Sequence, residues 1–277
     1  MSDLNNENSN ELPVAGELDV MGIYLYCLTT TAFPPKLSGL LDGEIEVSTF
    51  RQGGVVAVYV DIDPAEFSIE NLQSVSWVGP RAQQHEAVVA KVMRSSTVLP
   101  VKFGAIFTSI SKLQEFLLKH HQVITQALES LEGKGEYNVK VFIDEDDVKS
   151  AIVKEDSVIR NQIEKFSTSP GTRYMQEKKM EAAIASASDI WIEKQLEEVI
   201  ETLNNCSEAS TVLRCHSKKV TGRSDLMILN RSFLLSPELI EPFHIALSKL
   251  QTDQRNISLH FESSGPWPLF NFCPSLL

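Results

Sequence analysis

Near its C-terminus the chain reads Ser264-Gly265-Pro266-Trp267-Pro268-Leu269-Phe270-Asn271-Phe272-Cys273. Two prolines fix φ on either side of Trp267, and Gly265 supplies the turn that precedes them. Exposed aromatic side chains stabilise nothing, so a segment this rich in them is expected to be tied down against its own domain. We therefore predict that this segment, called the C-terminal tail below, closes the C-terminal domain and that Trp267 is largely buried.

Upstream of the tail, residues 144–277 are predicted to form an α+β domain with a long helical hairpin. The charged segment 144–166 indicates one helix, and 173–204 indicates a second of about thirty residues. The apolar stripe of this second helix shifts its face near Trp191, so we expect coiled-coil-like packing against more than one element. β-branched and aromatic runs predict strands at 211–216, 226–235 and 257–261, and a further helix is expected from Ser236 to about Leu250.

Residues 21–143 are predicted to form a ferredoxin-like domain, so the whole chain is assigned to the α+β class. The order β, ββ, α, β, α, β is that of a split βαβ sheet with one extra hairpin strand. Strands are expected at 23–28, 45–50, 55–60, 98–103 and 136–143, with the hairpin turning at Gly53-Gly54.

The helices of this domain are predicted from their terminal residues. Gly79-Pro80 is expected to open the first helix, since proline at the first helical position loses no hydrogen bond. A capping box of Ser111 and Gln114 is expected to open the second helix, which should end at Gly133. Helices cover one face of a ferredoxin-like sheet, and we expect the other face to be left for a partner.

Composition excludes several classes of function. The chain has 277 residues, of which 37 are acidic and 25 basic, for a net charge of −12. An acidic surface opposes binding to DNA, RNA or anionic lipid, because each depends on a basic patch. The sequence has no run of about 18 apolar residues, so no membrane span is predicted. The first twenty residues show no secretory signal. Residues 1–20 are rich in Asn, Ser and Glu and are predicted to be a disordered acidic tail.

No catalytic, cofactor-binding or metal-binding residues are predicted. The four cysteines form no CxxC pair, and Cys206 with Cys215-His216 lacks a convincing fourth zinc ligand. His85-Glu86 begins like a zinc-protease motif, but Val89 occupies the position that needs a second histidine. His85 is instead expected at the edge of the apolar face of its helix, donating one hydrogen bond.

Two further motifs have structural explanations. The acidic run Asp144-Glu145-Asp146-Asp147 lacks the ligand spacing of a calcium loop and is explained better by a helix N-terminus, which favours negative charge. Gly133-Lys134-Gly135 precedes a strand, whereas a phosphate-binding loop must lead into a helix. An RNA-binding sheet would need stacking aromatics in basic surroundings, and the candidates Tyr24, Tyr26 and Phe103 lie beside a single Lys102.

Four segments carry a resemblance to a known family. They are the tail and, in chain order, His85-Glu86-Ala87-Val88-Val89, Leu99-Pro100-Val101-Lys102-Phe103-Gly104 and Leu131-Glu132-Gly133-Lys134-Gly135-Glu136. In order and spacing they resemble the gas vesicle protein F/L family, over roughly residues 21–272, and the F branch is favoured over L. That family contains accessory or minor structural components of the protein-walled gas vesicles of cyanobacteria, halophilic archaea and some other prokaryotes, so the resemblance also points to buoyancy.

The resemblance implies a non-enzymatic protein of gas vesicle formation. It implies binding to gas vesicle protein A, the small and very hydrophobic main shell protein, during nucleation and assembly, with prevention of its aggregation. Other accessory proteins of the vesicle are further expected partners, and the vesicle is the expected location, with a soluble pool in the cytoplasm. The alternative is a regulatory or scaffolding protein that never enters the vesicle. Because the N-terminal sheet carries the apolar strands, we expect residues 20–144 to retain shell-protein binding and 145–277 to lack it.

Overall fold

The computed structural model describes residues 21–31, 38–40, 44–253 and 259–276. The predicted disorder of residues 1–20 therefore lies outside the described residues. Within them the chain folds into an N-terminal and a C-terminal domain, each built around one larger antiparallel sheet with helices. The predicted α+β class is confirmed.

The N-terminal domain contains seven strands and three α-helices among the described residues. Its main sheet has the order β4-β5-β1-β6, with β7 paired to β1, while β2 and β3 form a separate hairpin. A 3₁₀ turn at Pro64–Phe67 precedes the helices. The elements are β1 (Gly22–Thr29), β2 (Ser38–Leu40), β3 (Glu44–Glu46), β4 (Ser48–Gln52), β5 (Val55–Ile62), α1 (Ile69–Gln73), α2 (Val75–Met93), β6 (Val98–Pro100), β7 (Ile106–Phe107) and α3 (Ile110–Ser130).

Both faces of the N-terminal sheet are covered by helices. Ile23 and Leu25 of β1 belong to an apolar cluster with α3, while Tyr24 and Tyr26 of the same strand belong to a second cluster with α2. Every residue of β1 is buried as a result. The expected open face is therefore absent from the described part of the sheet, and that premise of the sequence analysis was wrong.

In this domain the predicted hairpin turn is confirmed, but the predicted starts of two helices are wrong. The hairpin turns at Gly53 and Gly54 as predicted, and both have positive φ. Helix α2 begins at Val75 rather than at Pro80, which lies inside it. Helix α3 is capped by Ser109, whose hydroxyl accepts a hydrogen bond from the backbone N–H of Lys112, and not by the proposed box two residues later.

The C-terminal domain contains four strands and five helices among the described residues. Its sheet has the order β11-β8-β10-β9, and every pairing is antiparallel. The elements are β8 (Gly135–Ile143), α4 (Glu145–Glu155), α5 (Ser157–Glu164), α6 (Pro170–Asn204), β9 (Ala209–Val212), α7 (Lys218–Thr221), β10 (Leu226–Leu235), α8 (Pro237–Asp253) and β11 (Leu259–Trp267).

Strand β8 belongs to this second sheet and not to the first. It pairs with β10 along one edge and with β11 along the other. The prediction that it ends the ferredoxin-like sheet was therefore wrong, and a boundary between residues 143 and 144 would separate a central strand from its partners. Strand alternation specifies which side chains face a core, but not which strand supplies the partner.

The helices of the C-terminal domain pack on one face of its sheet. Helix α6 has 35 residues and contacts α4, α5 and α8, in agreement with the predicted change of face near Trp191. The single helix expected over 144–166 is two, separated at Asp156. The side chain of Asp144 accepts hydrogen bonds from the backbone N–H groups of Asp146 and Asp147, so the acidic run forms the N-terminus of α4 as predicted.

Candidate functional site

A groove lies between the two domains, where the C-terminal sheet has no helix on it. The groove has a volume of about 650 Å³ and lies between three structural elements. Helix α2 of the N-terminal domain forms one wall, the second face of strands β8 and β10 forms the floor, and the C-terminal tail forms the other wall. A concave surface of this size, mostly apolar with a few polar groups, is typical of a binding site.

The floor of the groove is polar, although most of its side chains are buried. The amide of Asn138 donates to the Asn230 side-chain oxygen at 3.0 Å and to the carbonyl of Arg231 at 3.1 Å. The Asn230 amide donates in turn to the Arg214 carbonyl at 2.8 Å. Because these amides satisfy one another, the sheet can keep polar groups on a face that no helix covers.

Glu136 joins this floor to the C-terminal tail. Its carboxylate accepts a hydrogen bond from the Ser232 hydroxyl at 2.6 Å and another from the backbone N–H of Asn271 at 3.0 Å. The side-chain amide of Asn271 donates a third. Glu136 is 4% exposed, so this buried charge is stabilised by three donors and fixes the position of the tail.

The tail contacts both domains, but Trp267 does not enter a core. It is 48% exposed, and its indole N–H donates to the Ser264 hydroxyl at 3.0 Å. Leu269 is buried instead, at 2%, in the cluster that also contains Leu131 and Leu234. The prediction of a largely buried Trp267 was therefore wrong: Trp267 ends strand β11, and the chain that follows it buries Leu269 in the core.

Three charged groups beside the floor are paired with one another. The Arg223 guanidinium binds both Asp225 and Glu262, and it lies over the Phe142 ring at 4.3 Å. Its hydrogen bond holds the pKa of Asp225 well below its usual range. Lys140 lines the groove half-buried, and no ion pair of it is found in the described part of the chain.

On the other side of α2, His85 belongs to a buried polar chain. The Tyr24 hydroxyl donates to His85 Nδ1 at 2.8 Å, and His85 Nε2 donates to the Val101 carbonyl at 3.0 Å. Burial lowers the pKa of His85 to about 4 and raises that of Tyr26 to about 12. His85 is thus neutral and fully within the core, rather than at the edge where it was expected.

The other positions considered from the sequence have structural surroundings within the described residues. Tyr24 and Tyr26 are 3% exposed and covered by α2, so neither is available to stack on RNA bases. Searched over the described ranges, no group of three His, Cys, Asp or Glu side chains is placed to hold a metal ion. Gly133 has a φ of 71° and connects α3 to β8, as predicted for a turn. Among the helices described, none has the length and apolar character needed to span a lipid bilayer.

Sequence reasoning did not find the groove. The polar residues of its floor were not recognised as a surface, and the tail that forms its other wall was expected to be buried. One signal was present, because Asn138 and Lys140 alternate with apolar residues along β8, and such alternation is typical of a strand with one polar face.

Comparisons with known proteins agree with this architecture. The family model described as gas vesicle synthesis protein GvpL/GvpF matches residues 22–274. Gas vesicle protein F of Streptomyces sp. (strain CB03234) is 25% identical over 91% of this chain and 99% of its own length. Gas vesicle protein L of the same strain is 23% identical over 80% of this chain and 81% of its own length.

Two solved structures share the fold. The crystal structure of the gas vesicle protein GvpF from Anabaena sp. PCC7120 superposes with a TM-score of 0.68 at 19% identity, covering 92% of this chain and 98% of that one. GvpF from Microcystis aeruginosa gives a TM-score of 0.63 at 16% identity, covering 91% of this chain and 98% of that one.

Proposed function

The chain belongs to the GvpL/GvpF family of gas vesicle synthesis proteins, and on that premise we propose that it binds the main shell protein, gas vesicle protein A, during nucleation and assembly. Binding would keep the very hydrophobic shell protein from aggregating before it joins the wall. The family takes part in gas vesicle formation and is not an enzyme family. Incorporation of the chain into the vesicle is part of the proposal.

The observation that supports this function best is the groove with Trp267 exposed at its edge. An exposed tryptophan beside Pro268 and Phe270 provides a rigid aromatic surface, of the kind that dominates the energy of protein interfaces. An apolar partner must be met by apolar surface, because charge alone gives it little affinity. The strands of the N-terminal sheet cannot supply that surface, since α2 and α3 cover them.

A co-sedimentation experiment tests the proposal. Purified shell protein should stay in the supernatant when the full chain is present and should sediment without it. The double variant Trp267→Ser, Leu213→Ser removes two apolar side chains from the groove and should lose most of this effect. Ile69→Ser is the matched control, because Ile69 is a large exposed apolar residue on α1 outside the groove.

Two results would contradict the proposal. If the wild-type chain leaves the sedimentation of the shell protein unchanged, the proposed activity is wrong. If the chain is absent from washed, intact vesicles although it binds the shell protein, the regulatory or scaffolding alternative replaces incorporation.

A further inference from the structure

We propose that the groove recognises an apolar segment that carries a carboxylate group, and that the Lys140 ammonium binds this carboxylate. The inference rests on the proposed function, because it names the chemistry by which the groove would select its partner. It follows from the charges and contacts of the floor and walls.

Within the described residues Lys140 makes no ion pair, and the carboxylate opposite it on the neighbouring strand binds an arginine instead. Residue 262 lies directly opposite residue 140 in the pairing of β11 with β8, so Glu262 is the carboxylate that a cross-strand ion pair would use. Glu262 is instead bound by Arg223, which also holds Asp225. On its other side Lys140 is opposite Asn230, an uncharged residue whose amide donates to Arg214.

The groove therefore has a different chemistry at each end. At one end of the floor, Trp267 of β11 pairs with Glu136 of β8. Lys140 lies four residues beyond Glu136 on β8. At the rise of an extended strand this separation is roughly 13 Å, the length of about four residues of extended chain. A segment lying along β8 could thus place an apolar side chain on Trp267 and a carboxylate on Lys140.

The acidic groups that line the groove do not remove this preference. Glu136 is occupied by the three donors described above, so its oxygens are not available to a ligand. Glu86 is exposed on the opposite wall, on α2, where it would repel a carboxylate that approached from that side. The geometry thus directs a carboxylate towards the sheet and away from the helix.

The test uses the full chain and two kinds of probe. The first is the shell protein in the co-sedimentation assay, and the second is a matched set of synthetic apolar peptides with an internal glutamate, an internal glutamine, a free C-terminal carboxylate or a C-terminal amide. Peptide binding is followed by the NMR signal of the Trp267 indole N–H, which is assigned with Trp267→Phe. This set separates a side-chain carboxylate from a C-terminal one.

We expect Lys140→Gln to weaken binding of the carboxylate peptides about tenfold, as for the loss of one charge-assisted hydrogen bond. Lys140→Arg should restore it, and the amide and glutamine peptides should bind equally to all three proteins. Lys119→Gln is the control, because Lys119 is an exposed lysine on α3, away from the groove. Glu86→Gln should leave binding unchanged or strengthen it.

Each result decides between the two proposals. If the shell protein binds the wild type and Lys140→Gln equally, and the peptides show no preference for a carboxylate, this inference fails while the proposed function stands. If Glu86→Gln is the weakening change, the segment is basic and the inference is wrong. If the carboxylate peptides bind through Lys140 but the shell protein does not bind, the recognition chemistry stands and the proposed function fails.

Discussion

The two sheets of this protein are built from similar apolar strands but are covered differently. In the N-terminal sheet, α3 covers one face and α2 the other, and every residue of β1 is buried. In the C-terminal sheet, helices cover one face, while the other presents Asn138, Asn230 and Ser232 to the groove. The N-terminal sheet is thus covered on both faces, whereas the C-terminal sheet has one face that borders the groove.

The largest effect is expected from a cavity in the N-terminal sheet. Leu25 is fully buried between strands and α3, so Leu25→Ala should lower the free energy of unfolding by about 3–5 kcal/mol. Val212→Ala, at a residue 70% exposed on the edge strand β9, should change it by less than about 0.5 kcal/mol. Denaturant unfolding measures both. A small loss for Leu25→Ala would mean that α3 does not close this face of the sheet.

The next effect depends on pH and also comes from the N-terminal sheet. His85 has a pKa of about 4 in the folded protein against 6.5 when unperturbed, so the unfolded chain binds more protons between these values. Stability from this group is complete above pH 6.5 and is lost as pH falls towards 4, by roughly 3 kcal/mol. Stability curves of the wild type and His85→Asn should therefore converge in that window. Parallel curves would show that folding does not lower the pKa of His85.

How far the sequence predicts this structure depends on how local each feature is. Strand β10 has the predicted bounds, because the apolar runs at its two ends, residues 226–229 and 233–235, indicate a buried strand locally. The turn at Gly53-Gly54 was equally local. The sheet to which β8 belongs was not predictable in this way, since Leu226–Leu235 and Leu259–Trp267, its two partners, lie far from it in sequence.

The candidate site was less predictable than the fold for the same reason. Among the described residues Lys140 has no ion pair, and Glu262 opposite it binds Arg223, an arrangement that depends on side chains from two strands and a loop. The exposure of Trp267 was also unpredictable, because it depends on which residue of the tail is buried in the core. Composition favours an aromatic side chain there, but the path of the chain places Leu269 in the core instead.

Only a small effect on stability is expected at Trp267, where we expect binding to change most. Because the side chain is 48% exposed and makes one hydrogen bond to Ser264, Trp267→Ala should cost less than about 1 kcal/mol of unfolding free energy. A core tryptophan would cost about 3–5 kcal/mol. Leu269→Ala is the matched change in the same tail, and at 2% exposure it should cost about 2–5 kcal/mol.

Thermal and denaturant unfolding of these two variants, combined with shell-protein co-sedimentation, separate a structural role from a binding role. Trp267→Ala should fold normally, because it leaves the hydrogen bond between Asn271 and the Glu136 carboxylate intact. It should bind poorly, because it removes apolar surface from the groove. Leu269→Ala should lose stability because it opens a cavity beside Leu131 and Leu234. If Trp267→Ala destabilises the protein as much as Leu269→Ala, then Trp267 is part of the core after all. The contrast between a closed N-terminal sheet and a groove on the C-terminal one would then lose its main support.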